Sequence, residues 1–335
     1  MTDHFISSEK KAVKPDWYYS IRKYEQPHLG KAVWQFSSTV ISYLTLCTLM
    51  YVSYQKGYPY WIVLCLGLLA AGLLVRIFIF FHDCSHQSLF TSRKANTVLG
   101  YICGILTFTP FEEWRMSHGW HHNTSSDLDR RGRGDVWTMT SEEFCKASKP
   151  KRIWYRFFRN PLVLLCMGPV FLFVVSYRYP HKGGRRRQKI SVVITNAAIA
   201  FIIAGASLTI GFKAYALIQF PILFFAGVIG VWLFYIQHQF EGVYWSRHDQ
   251  WDPVKASIYG SSYYKLPKVI QWFTGNIGLH HIHHLRARIP NYNLQKACDD
   301  TELIFDIEPL TLRKSITCLK LKLWDEKKQK MAGFK

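Results

Sequence analysis

Four stretches of this chain are long and apolar enough to demand a membrane. Residues 33–53 (VWQFSSTVISYLTLCTLMYVS) carry no charge, and residues 60–81 carry a single one, at Arg76. Residues 190–212 and 214–238 are two more such runs, parted only by Lys213. About 20 apolar residues in a helix cover the roughly 30 Å hydrocarbon core of a bilayer, where a helix satisfies its own backbone. The expected fold is therefore all-α and integral to the membrane, with four transmembrane helices. Two shorter apolar stretches, 97–110 and 161–177, are interrupted by Gly100 and Gly104 and by Gly168-Pro169. Both are expected to be re-entrant or interfacial.

Charge orients these spans. The link YQKGYP between the first two has one cation, whereas 146–159 and Arg178–Lys189 (RYPHKGGRRRQK) have six Lys or Arg each. Cytoplasmic loops collect Lys and Arg. Four crossings put both basic loops, both ends of the chain and the HHIHH segment on the cytoplasmic side of the plasma membrane. Six crossings would move residues 111–160 to the other side. Lys and Arg number 42 against 22 Asp and Glu. Because the basic blocks alternate with apolar runs, the surplus reads as a basic membrane face and not as a nucleic-acid surface. The expected organisation is a cytoplasmic segment 1–32, a membrane domain 33–310 and a basic amphipathic segment 311–335. In the last, Leu312, Ile316, Leu319 and Leu323 recur at helical spacing among Arg313, Lys314, Lys320 and Lys322.

The chain has 14 histidines, and most are clustered. HDCSH gives His82 and His86, HGWHH gives His118, His121 and His122, and HHIHH gives His280, His283 and His284. His238, in YIQHQFE, closes the fourth span. A lone histidine at a membrane edge is ordinarily interfacial, and His4, His28, His181 and His248 are expected to be solvated. Three clusters, two with the same H-x-x-H-H spacing, point instead to metal. Residues at i and i+4 share a helix face. In H-x-x-H-H the i, i+3 pair is expected to share a face, with the adjacent histidine turned about 100° away, so one motif can feed two ions. His281 is then only a spacer. A tetrahedral ion takes three or four protein ligands, so nine imidazoles imply at least two ions in a helical cap. Imidazole suits Zn, Cu, Fe and Ni. An apolar neighbourhood points to chemistry on lipid, and unactivated methylenes call for oxygen activated at iron or copper. Ligand histidines usually donate their second N–H to a carboxylate or carbonyl. Asp83, Asp127, Asp135, Glu241 and Asn276 lie near the boxes. Asp83 and Glu241 are the favoured partners, with Asn276 a further one, acting through water.

The boxes resemble those of integral-membrane fatty acid desaturases. The runs FHDCSHQS, TSSDLDRRGRGDVW, WLFYIQHQFE, KLPKVIQWFTGNIGLHHIHHL and PNYNL are most similar to the bacillus-type acyl-lipid Δ5 phospholipid desaturases, over about residues 30 to 325. The resemblance implies two iron ions on the nine box histidines, O2 as co-substrate, two electrons, and a cis double bond placed in saturated chains of membrane phospholipids. The first box is spaced H-x-x-x-H, where acyl-CoA desaturases usually have H-x-x-x-x-H, which favours an acyl-lipid substrate. With no HPGG haem motif, electrons would come from a separate ferredoxin or flavodoxin. Related hydroxylases and carotenoid ketolases share these spacings, so lipid hydroxylation is the alternative reaction. Outside enzymes, a metal transporter should hold its ligands at mid-membrane, and a zinc-capped structural protein would need fewer histidines.

Overall fold

A computed structural model describes residues 16–301 and 307–334. His4 lies outside them. Four long helices dominate: α1 (Leu29–Gln55), α2 (Tyr60–Ser85), α6 (Arg186–Thr209) and α7 (Phe212–His238). All four have the length and apolarity of membrane spans. α2 is the central one. Of its most apolar stretch, 56% is buried, against 22% in α1, 22% in α6 and 28% in α7. Lipid tails are as apolar as leucine, so the outer faces can stay hydrophobic. Trp34, Ile41, Phe201 and Leu208 are exposed there. His28 is not merely solvated, as expected above. It caps α1, its Nδ1 accepting from Lys31 N at 3.2 Å.

The shorter apolar stretches take two different forms. Residues 93–106 form α3 (Arg93–Leu106), 14 residues long and so about 21 Å, too short to cross. After Pro110 the chain returns as α4 (Phe111–Thr124). α3 and α4 meet at Gly100, where any Cβ would sit inside the Phe111 ring. The basic loop before 160 is itself a helix, α5 (Lys149–Phe158). It exposes Ile153, Trp154 and Phe157 among Lys149, Lys151, Arg152 and Arg156, an interfacial pattern that the cation count concealed. α5 and the following helical stretch Val163–Arg178 are bent by 67°. Five-residue π-helical turns flank Gly168-Pro169, because proline cannot donate to the regular ladder. Such a bent pair has the shape of a re-entrant loop or a broken span.

With each long helix crossing once, the start of α1, the end of α2, the start of α6 and the end of α7 share one face. The remaining elements cover that face. They include α8 (Lys268–Phe273), α9 (His280–Leu285), α10 (Leu294–Thr301), α11 (Leu312–Thr317) and a small sheet. In the sheet, β1 (Met139–Thr140) runs parallel to β2 (Leu323–Asp325), which pairs antiparallel with β3 (Lys330–Ala332).

The expected amphipathic helix over 312–323 is corrected here: α11 stops at Thr317, and the chain turns into the β2–β3 hairpin. Tertiary hydrogen bonds take the backbone groups a longer helix would use. Arg159 Nη2 donates to Leu321 O at 2.9 Å, and Tyr155 Oη donates to Lys322 O at 2.5 Å. Lys322 Nζ in turn donates to Arg159 O at 2.6 Å. Burial, with Arg159 nearby, pushes the Lys322 ammonium down to about 8.

Candidate metal centre

The box histidines come from four helices that end on the covered face. His82 occupies the last turn of α2, and His86 is its C-cap. α4 carries His118, His121 and His122, α7 terminates on His238, and α9 is almost entirely the third box. These nine side chains form two groups. His82, His86, His118, His122 and His283 make one, and His121, His238, His280 and His284 the other. Within each group the donor nitrogens all lie within 4.8 Å of one another.

Each H-x-x-H-H motif does divide between the groups, but not in the expected pairing. His118 goes with His122 and His280 with His284, which are i, i+4 pairs; the i+3 members His121 and His283 belong to the opposite groups. A step of four residues overshoots a turn by about 40°, and a step of three falls short by about 60°. The closer pair falls in one group.

The nitrogens face one another without protons to share. His121 Nδ1 gives its proton to Asp135 Oδ1 at 2.5 Å, and His238 Nδ1 to Gly260 O at 3.0 Å. In neutral rings both Nε2 atoms are then bare lone pairs, and they stand 3.0 Å apart. His238 Nε2 is also 3.1 Å from His280 Nε2. In the other group, His122 Nε2 lies 3.1 Å from His118 Nε2 and 3.0 Å from His283 Nε2. The Nε2 atoms of His82, His86 and His284 are buried with no hydrogen-bond partner. A proton could bridge one such pair but not two groups of this size. A cation satisfies all of them. Donors about 2.1 Å from one ion stand about 3.0–3.4 Å apart, which matches. Burial first, then the neighbouring imidazoles, pushes His86, His118, His122, His280, His283 and His284 well below the ordinary histidine range. They are neutral donors, as a metal requires.

The partner residues differ from expectation. Asp83 is buried beside the cluster, its Oδ1 3.4 Å from His82 Nδ1. Its Oδ2 accepts from the backbone N and Nδ2 of Asn291 at 2.8 and 2.9 Å. Glu241 is not brought to a histidine. α7 ends at His238, and the chain turns outward through Gly242, leaving Glu241 exposed. Asn276 bonds Asn291 O at 2.8 Å, not a box residue. Asp127 takes His248 at 2.7 Å, so His248 is not simply solvated. His281 turns away, buried against the Tyr263 ring and 3.9 Å from Cys298 Sγ.

Sequence reasoning gave no role to three contributors. Trp114 stacks on His118, ring centroids 4.2 Å apart; its place one turn before His118 was the available signal. Asn291 sits in the quoted PNYNL run. The Gly260 carbonyl has no side-chain signature at all. Phe78 packs on Trp114 at 5.4 Å, and Phe234 on His121 at 5.4 Å. Each group thus has an aromatic flank.

Four apolar spans capped by two buried, cation-ready histidine groups define a membrane metalloprotein. The comparisons with known proteins specify it further. Residues 59–302 match the family model described as fatty acid desaturase. A Bacillus subtilis (strain 168) protein named fatty acid desaturase is 40% identical over 335 residues, 100% of this chain and 94% of the relative. An sn-1 oleoyl-lipid 12-desaturase of Picosynechococcus is 26% identical over 257 residues, 71% of this chain and 69% of its own. An sn-1 acyl-lipid omega-3 desaturase (ferredoxin) of Nostoc is 25% identical over 322 residues, 90% of this chain and 82% of its own. The chain belongs to the fatty acid desaturase family, and it is an oxidoreductase.

Proposed function

We propose that this enzyme introduces a cis double bond, at Δ5, into saturated acyl chains of membrane phospholipids. It would use O2 and two electrons at a di-iron centre held by His82, His86, His118, His121, His122, His238, His280, His283 and His284. The observation that carries this reading is the pair of bare, buried Nε2 clusters beside apolar spans. Bound iron would supply the oxidising power to take two hydrogens from neighbouring methylenes: with O2, two electrons and two protons, the products are an alkene and two waters.

The protein's own part is positioning. Asp135 and the Gly260 carbonyl hold the Nδ1–H of His121 and His238, so that Nε2 points into the group. Trp114, Phe78 and Phe234 form a dry flank against which the acyl chain would lie. The sn-1 acyl-lipid substrates in the relatives' names support a lipid-borne chain over an acyl-CoA. Two relatives are named for ferredoxin, and an acidic ferredoxin or flavodoxin would find the basic segments 146–159 and 178–189 attractive. Those segments also favour a plasma-membrane protein with its active site on the cytoplasmic face.

The test is gas chromatography–mass spectrometry of total fatty acids from a desaturase-free bacterium that co-expresses a ferredoxin, a flavodoxin and their reductases. The expected result is a new monounsaturated acid, absent with His283→Ala and located by derivatisation. A hydroxy acid would replace this reading with the hydroxylase. An unchanged profile would overturn it. A reporter fused near Lys149 should read cytoplasmic; an outside reading refutes the sidedness.

A further inference from the structure

Arg76 is a buried guanidinium in α2, six residues before His82, and no carboxylate pairs with it among the described residues. Its Nε donates to Thr39 Oγ1 at 3.2 Å, one terminal nitrogen donates to Trp272 O, and its plane lies 4.2 Å from the centre of the Trp272 ring. Nη2 has no protein acceptor among those residues. A charge at such a place is costly and ordinarily functional. Arg76 lines a cavity of about 590 Å³, together with Gln35, Ser38, Lys268, Gln271 and Asn291. That volume suits a substantial organic group.

The cavity asks for two chemistries at once. Arg76 and Lys268 offer N–H donors and positive charge. Gln35 and Ser38, both half-buried, line the same cavity with an amide and a hydroxyl. A bare anion would serve the first pair only and fill a small part of the cavity. A group with a phosphate and a hydroxyl or ammonium serves both, and Arg suits the phosphate. The depth agrees. Gln35 and Ser38 lie in the first three turns of α1, and Arg76 about 13 Å from the end of α2, near the same membrane face as the histidines. Asn291 then links the cavity to Asp83, and so to His82.

We propose that this cavity seats the headgroup of the phospholipid whose chain is desaturated, its phosphate on Arg76 and Lys268 and its hydroxyl or ammonium on Gln35 and Ser38. The proposal rests on the acyl-lipid reading above, so its test measures binding and not turnover. Dioctanoyl phosphatidylglycerol, dioctanoylglycerol and inorganic phosphate are each titrated into the detergent-solubilised full chain and followed by native mass spectrometry. Phosphatidylglycerol should bind at least tenfold more tightly than dioctanoylglycerol. Arg76→Gln should weaken it at least tenfold. Lys268→Gln, an exposed change that leaves packing intact, should weaken it severalfold. Inorganic phosphate binding as tightly, and with the same dependence on Lys268, would keep the anion site and overturn the lipid as its source. Equal affinity for the two glycerolipids, or an unaltered Lys268→Gln variant, overturns the proposal. Activity enters neither outcome, so a failed desaturation assay and a failed headgroup site are separately visible.

Discussion

The two histidine groups draw on the same H-x-x-H-H motifs yet are held by different means. In the four-membered group, His121 and His238 each have a short Nδ1 partner, Asp135 at 2.5 Å and the Gly260 carbonyl at 3.0 Å. In the five-membered group, Asp83 stands 3.4 Å from His82 and is committed mainly to Asn291, while Trp114 stacks on His118 at 4.2 Å. One group is oriented by hydrogen bonds and the other by ring packing and an extra histidine. A group with fewer histidines has less redundancy, so it should depend more on each orienting bond.

The largest effect should come from removing a ligand. His122→Ala and His284→Ala should each drop desaturation more than 100-fold and lower iron, measured by plasma mass spectrometry, from two to about one per chain. Full iron content in either variant would dissolve the two-group description.

The comparison sharpens at the partners. Asp135→Asn should weaken iron binding 10–100-fold, the usual cost of losing a ligand's partner, as read by chelator competition. Asp83→Asn should act chiefly on stability. It turns two charge-assisted bonds to Asn291 into ordinary ones, a loss of about 1–3 kcal/mol read from thermal unfolding in detergent. If Asp83→Asn weakens iron as much as Asp135→Asn, the contrast fails.

Gly100→Ala should cost about 1–3 kcal/mol by overpacking the α3–α4 contact. Because α4 carries three box histidines, iron occupancy should fall with stability. A purely structural loss with full occupancy would show that the cage tolerates movement of α4.

The smallest effect concerns Lys322, away from the cage. Its value is about 8 when folded against 10.5 when free. The unfolded chain therefore binds more protons between these values, and stability should rise as pH climbs through that window. Lys322→Met should flatten this rise in thermal midpoints taken from pH 7 to 10.

Much of the architecture was legible because membranes impose simple rules. Length and apolarity marked four spans, and repeated histidine spacings marked the box residues that the fold gathers. What the spacings left open was which histidines pair, since the i+3 and i+4 positions lie on either side of a helix face. Glu241 stands three residues after His238 and Asp83 directly after His82, and both read as partners. A helix end and a glycine turn separate it from the cluster, and no count of residues reports that.

The sequence by itself determined the class of molecule: apolar runs that only a bilayer accommodates, and imidazoles too numerous for one ion. Tertiary structure alone decided the partners. Asp135, the Gly260 carbonyl and Asn291 reach the cage across chain separations that no local pattern encodes, whereas Trp114 stacks on His118 from one turn earlier in the same helix. The same long-range packing ended the expected helix before Leu323, which opens a strand, because Arg159 and Tyr155 hold the carbonyls of Leu321 and Lys322.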